Sequence, residues 1–232
     1  MLTLRKANER GVTKISWLDS RHTFSFGDYR DPEHMNFGPL RVINEDVIAG
    51  GGGFQPHPHR DMEIVTYILD GALQHKDSLG NGSVIRPGEI QKMSAGTGIV
   101  HAEFNASRDR PTHLLQIWIV PSKQGITPGY EQKTIDPASI ANKFARIAAP
   151  DPLPNEVSIV QDAEIWAAKI DADVEVIHPL NEGRRAWIQV ARGEVDLNGQ
   201  TLKAGDAAGI TDSGMIAVHA KAPSEVLLFD MV

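Results

Sequence analysis

The side chains able to do chemistry in this chain concentrate between Gly50 and Asn105. That stretch carries Phe54-Gln55-Pro56-His57-Pro58-His59 near its start and His101-Ala102-Glu103-Phe104-Asn105 at its end. Residues two apart in a strand point to the same side, so His57 and His59 share a face, as do His101 and Glu103. Two such pairs on neighbouring strands bring three imidazoles and one carboxylate to one point. This donor set suits a first-row divalent cation, and four protein ligands leave two positions open in an octahedral shell. The competing reading, hydrogen-bonded histidines on half-buried strands, leaves the Glu103 carboxylate buried without a cation, at considerable cost. The spacing therefore points to a metal site built for chemistry.

The elements that must hold these residues are short strands. Gly50 to Gly53 form a loose turn or bulge leading into the first histidine strand. Pro56 and Pro58 cannot donate to a ladder, which predicts an edge or irregular strand. Residues 63–69 read as a buried strand, Asp70-Gly71 as a turn and residues 72–76 as its partner. Further strands are expected at 90–93, 99–105 and 113–121, separated by Gly80-Asn81-Gly82, Pro87-Gly88 and Gly96-Thr97-Gly98. Upstream, a strand is expected within 17–29, with Phe24 and Phe26 on one face. A short strand follows at 40–44, and Asp46 begins another. Such a succession describes an all-β barrel or sandwich.

Residues 121–156 are rich in proline and glycine and read as a linker, with Asp136-Pro137 capping a short helix over 138–142. Beyond it the chain repeats itself weakly. Trp187 to Val195 lines up with Val65 to Leu73, and Ala204-Gly205-Asp206 with Pro87-Gly88-Glu89. The expected organisation is two stacked antiparallel barrels, residues 1–133 with the metal site and 134–232 without it. Carried across, His57 and His59 become Pro179 and Asn181, and His101 falls near Val218. The second barrel is expected to be degenerate and structural.

Among the remaining candidates, His22 reads as a structural hydrogen-bonding residue and His34 as an exposed loop residue. His75 and His113 have no histidine partner two residues away and are left out of the ligand set. Even spacing puts Glu63 on the face of His57 and His59, where it is expected to orient the site. Asn105 falls on the face of His101 and Glu103. Trp118, Trp166 and Trp187 read as core, while Phe24, Phe37, Phe54 and Met93 are candidates for an apolar mouth.

His57-x-His59 with Glu63 after Gly51, and Gly98-x-x-His101-x-x-x-Asn105, resemble the two cupin motifs. With His22-Thr23-Phe24-Ser25-Phe26, Asp31-Pro32 and Gly96-Thr97-Gly98, the chain resembles the pirin branch of the cupins over nearly its whole length. One departure is Gly96, where the family usually has proline. The resemblance implies a bicupin, jelly-roll fold with one divalent metal held by His57, His59, His101 and Glu103, Glu63 not among the ligands. Iron is the first expectation, and nickel, cobalt, manganese, copper and zinc are alternatives. It implies a quercetin 2,3-dioxygenase activity that opens the ring of a flavonol. The substrate would meet the metal through its 3-hydroxyl, Glu103 would serve as catalytic base, and dioxygen would be the second substrate. The alternative is a non-enzymatic metal or redox sensor acting through a protein partner.

Composition narrows the classes. A net charge of −7 argues against unaided binding to a phosphate backbone. The chain has no cysteine, so thiolate ligands and disulfides are absent, in keeping with a reducing compartment. The charged start of the chain, Met1 to Arg10, does not read as a signal peptide, and no apolar run approaches a membrane span. A cytoplasmic protein is expected.

Overall fold

The computed structural model describes residues 1–232, which divide into two compact units. One comprises Gly11–Thr134 with Val157–Gln161; the other comprises Met1–Arg10, Ile135–Glu156 and Asp162–Val232.

The first unit consists of two antiparallel sheets. A seven-stranded sheet runs in the order Gly129–Thr134, Glu89–Ser94, Glu63–Asp70, Thr112–Ile119, Leu40–Ile48, Leu18–His22 and Gly11–Lys14. A four-stranded sheet runs Gly53–His59, Ile99–Asn105, Leu73–Asp77 and Gly82–Ile85. Leu18, Ile48, Ile68 and Leu114 from the larger sheet pack on Leu73 and Ile85 from the smaller one. Fully burying each such side chain contributes about 1.5–3 kcal/mol, and alternation along each strand makes the inner faces apolar. Gly71 turns between Glu63–Asp70 and Leu73–Asp77 at φ 79°, where a Cβ would meet the Thr112 hydroxyl at 2.7 Å.

The second unit repeats this plan. Its larger sheet includes Leu2–Arg5, Ala207–Ile210, Arg185–Arg192, Ser224–Met231, Ala163–Ile170 and Ala145–Ala149 in that order. Its smaller sheet is Glu175–Leu180, Gly214–Ala220, Glu194–Leu197 and Gln200–Lys203. One apolar cluster, from Ala168 to Leu228, joins the inner faces of both sheets.

The local expectations are largely met. Ile99–Asn105 matches the expected bounds, and the helix is Pro137–Ile140, with the Asp136 side chain accepting from Ala138 N at 3.0 Å. Three details differ. Leu40–Ile48 is one continuous strand, because it pairs with Thr112–Ile119 along its whole length. The strand after Trp17 ends at His22, so Phe24 is buried by the loop that follows. Residues 1–10 do not join the first unit. Leu2–Arg5 pairs with Ala207–Ile210, and Asp206 accepts from Ala7 N at 2.7 Å and from Lys6 Nζ at 3.2 Å. That strand protects a sheet edge which would otherwise lack a partner. No helix is long and apolar enough to cross a membrane.

Candidate metal centre

Gly53–His59 is the edge strand that its prolines demand. It pairs with Ile99–Asn105 through His101↔His57, then slips so that Glu103 lies opposite Phe54. The extra residue falls at Gln55-Pro56, where proline has no N–H to offer, and forms a bulge. The bulge leaves the Gln55 carbonyl beside the His57 ring, with Nδ1 at 2.7 Å. That contact places the His57 proton on Nδ1 and leaves Nε2 with its lone pair.

The three imidazoles meet. Ring centroids are 4.4 Å apart for His57 and His101, 4.8 Å for His57 and His59, and 4.9 Å for His59 and His101. One ligand atom from each of these histidines lies within 4.8 Å of the others. Glu103, one alternation along from His101, belongs to an overlapping group of the same size with His75 and His101. Its Oε2 accepts from Gln116 Nε2 at 2.8 Å, and Thr66 Oγ1 donates to Gln116 Oε1 at 2.9 Å. The chain Thr66–Gln116–Glu103 fixes the carboxylate and leaves Oε1 without a partner.

Electrostatics favours a cation here. Burial drives the His59 pKa down to about 4, helped by the neighbouring His57, and holds His101 well below the ordinary imidazole range. Burial pushes Glu103 up to about 7, the Gln116 hydrogen bond opposes the rise, and the charge of Asp46 adds to it. Both nitrogens of His101 and Oε1 of Glu103 are buried without a hydrogen-bond partner. An unmet buried polar atom costs about 1–3 kcal/mol, and a cation among these atoms removes that cost. Neutral imidazoles beside a carboxylate fit a borderline divalent ion.

The site opens on a cavity of about 390 Å³, within the range of small-molecule pockets. Trp17, Phe26, Phe54, Ile64 and Trp118 give it apolar walls. Trp118 stands edge-on to His59 at 5.0 Å and to Phe26 at 5.4 Å. Asn44, Asp46, Ser20 and His22 supply a polar side.

Several single residues depart from expectation. Trp118 packs on the cluster around Ile64 and Met93 but also walls the cavity, because the strand that carries Gln116 faces the histidines. Of the candidate mouth residues, Phe54 lines the cavity, whereas Phe24 and Met93 are buried in the core and Phe37 lies away from it. Glu63 does not share the histidine face. Asp61 adopts φ 46°, which breaks the strand and resets its alternation. The Glu63 carboxylate instead accepts from Ser94 Oγ and Val160 N, both at 2.6 Å. Asn105 ties down its own loop, donating to Ile48 O at 2.9 Å and Arg110 O at 2.7 Å. His22 is held by Thr13 and Asn44, each at 2.8 Å, and lines the polar side of the cavity. His34 is bonded to Asp31 and His113 to Glu45.

His75, left out of the expected ligand set, has an acid as its partner two residues on: Nε2 lies 3.0 Å from Asp77 Oδ2, and the sequence carries that signal as His75-x-Asp77.

In the second unit the same ladders keep one donor: His178 lies opposite Ile216 as His57 lies opposite His101, but Leu180 takes the place of His59 and the Asp230 carboxylate holds His178 Nε2 at 3.0 Å. Asn105↔Leu73 and Ala220↔Val195 both close their ladders, which sets Ile216, Val218 and Leu197 in the places of His101, Glu103 and His75. Val218 therefore stands for Glu103, two residues from the sequence alignment, and all three are buried in the apolar cluster.

Two facing antiparallel sheets with a histidine-rich cluster on one inner face define a cupin-type metal-binding protein. Comparison with known proteins gives the family. Residues 4–119 match the Pirin family model, and residues 146–231 match the model described as the quercetinase C-terminal cupin domain. The chain belongs to the pirin family. It is 48% identical over 231 residues to a protein of Escherichia coli K12 named quercetin 2,3-dioxygenase, covering 100% of this chain and 99% of that one. Among solved structures, the E. coli bacterial pirin YhhW in complex with nickel(II) has a TM-score of 0.94 and 47% identity, with 100% and 99% of the two chains covered. A quercetin 2,3-dioxygenase structure from Acinetobacter baumannii shares the fold, with a TM-score of 0.73 at 21% identity and coverage of 96% and 84%.

Proposed function

We propose that this protein is a metal-dependent dioxygenase that opens the ring of a flavonol such as quercetin. The observation that carries the proposal is the meeting of His57, His59 and His101, with Glu103 beside His101, in the lining of an aromatic-walled cavity. The relatives' names and the nickel complex of YhhW support it. His57, His59, His101 and Glu103 would hold the ion, with iron, nickel, cobalt, manganese, copper and zinc all compatible with the donors. A bound divalent ion would lower the pKa of the substrate's 3-hydroxyl on contact.

The side chains do the rest. Glu103 Oε1 accepts the hydroxyl proton, and a carboxyl pushed up to about 7 is matched to that task near neutral pH. Gln116 keeps Oε2 occupied, so the proton goes to Oε1. Trp17, Phe54 and Trp118 exclude water and present flat apolar surface to the flavonol rings. The deprotonated, electron-rich ring then reacts with dioxygen. Both oxygen atoms enter the products, carbon monoxide and a depside. The second unit has a structural role in this scheme, and a cytoplasmic setting agrees with the absence of cysteine.

Anaerobic addition of quercetin to metal-loaded protein tests the proposal. The flavonol absorbance shifts on binding, and admission of air starts oxygen uptake and carbon monoxide release. His59→Ala removes metal and activity together, whereas Glu103→Gln retains metal and loses turnover. Metal-loaded protein that binds quercetin yet consumes no oxygen would overturn the dioxygenase reading in favour of a sensor.

A further inference from the structure

Asp77 is a fully buried carboxylate locked by the turn that follows it. Its Oδ1 accepts from Leu79 N at 2.9 Å and Asn81 N at 3.0 Å, and its Oδ2 from Asn81 Nδ2 at 2.9 Å. An acceptor so placed accepts a hydrogen bond from His75 Nε2–H, 3.0 Å away. The tautomer of His75 is thereby set, and Nδ1 carries the lone pair. That atom is buried without a partner in a side chain of zero exposure. His75 offers a ring nitrogen within 4.8 Å of ligand atoms of His101 and of Glu103, which pairs with His75 across the ladder. An acid that orients an imidazole lying among further donors is the support that metal-binding histidines receive.

We propose that His75, His101 and Glu103 form an inner cation position, an alternative to the outer one held by His57, His59, His101 and Glu103. The inference rests on the metal reading above and deepens it. Two imidazole nitrogens and one carboxylate oxygen suit zinc, cobalt or nickel. The two positions share His101 and Glu103, so a single ion occupies one or the other, and His75 stands in for His57 and His59 at the inner one.

Cobalt(II) titration of chelator-treated protein, followed by its visible absorption, tests this. Wild type binds one equivalent. The double variant His57→Ala/His59→Ala destroys the outer position. It still binds one equivalent, more weakly and with an altered spectrum. Adding His75→Ala to that variant lowers affinity by more than about 100-fold, beyond the 10–100-fold cost of losing a residue that merely supports a ligand. Both replaced histidines of the double variant lie on an edge strand, part-exposed, and circular dichroism checks that it folds. The pair His57→Gln/His59→Gln serves as a second version. If wild type binds cobalt and neither double variant does, or if His75→Ala changes nothing in them, the inner position is wrong while the metal reading stands. If wild type itself binds no cobalt, both fall.

Discussion

The effect of Glu103→Gln on stability should depend on pH and on the presence of metal. Burial raises the Glu103 pKa from 4.5 to about 7. Below pH 4.5 the carboxyl is neutral folded and unfolded, and nothing is lost. Between pH 4.5 and 7 the unfolded chain has released a proton that the folded chain retains, so stability falls as pH rises. Above about pH 7 the loss is complete. A shift of that size corresponds to about 3 kcal/mol at 1.36 kcal/mol per pKa unit. Glutamine carries no such charge. In chelator, Glu103→Gln should therefore melt higher than wild type at pH 8, by roughly 6–12 °C on the usual 2–4 °C per kcal/mol for a chain of this length. At pH 4 the two should melt together. Nickel(II) at a hundred times its wild-type dissociation constant stabilises wild type by about 2.7 kcal/mol and should narrow the gap at pH 8, because the variant lacks the carboxylate charge and binds the ion more weakly. Melting curves at both pH values, with and without metal, decide the matter. A Glu103→Gln protein that melts below wild type in chelator at pH 8 would refute the claim that this carboxylate is held in readiness for a cation.

Other consequences can be checked directly. Gln116→Leu frees Glu103 Oε2 and should lower metal affinity about 10–100-fold in a cobalt titration, as loss of an orienting partner does elsewhere. Trp118→Ala removes a wall of the cavity and should raise KM for the flavonol without displacing the metal, while Trp118→Phe restores much of the loss. Deleting residues 1–10 exposes the Ala207–Ile210 edge, and size-exclusion chromatography should show the truncated protein self-associating. Asp206→Ala breaks the anchor to Ala7 N and Lys6 and should cost about 1–3 kcal/mol in denaturant unfolding.

The histidine pairs, the strand pattern and the duplication are all written locally, in spacings of two and in turn residues such as Asp70-Gly71. A strand's alternation is set by backbone geometry alone, so His57 and His59 had to share a face whatever else the fold did. Long-range pairing decided the remainder. Register brought His75 opposite Glu103 and Asp77 opposite His101. A single positive φ at Asp61 turned Glu63 away. The seven-stranded sheet swung Gln116 and Trp118 over the site, and Leu2–Arg5 found its partner some two hundred residues along the chain. Local sequence encodes which way a side chain points within its own strand. Which strand lies opposite depends on burying every inner face at once, and only the folded chain resolves that.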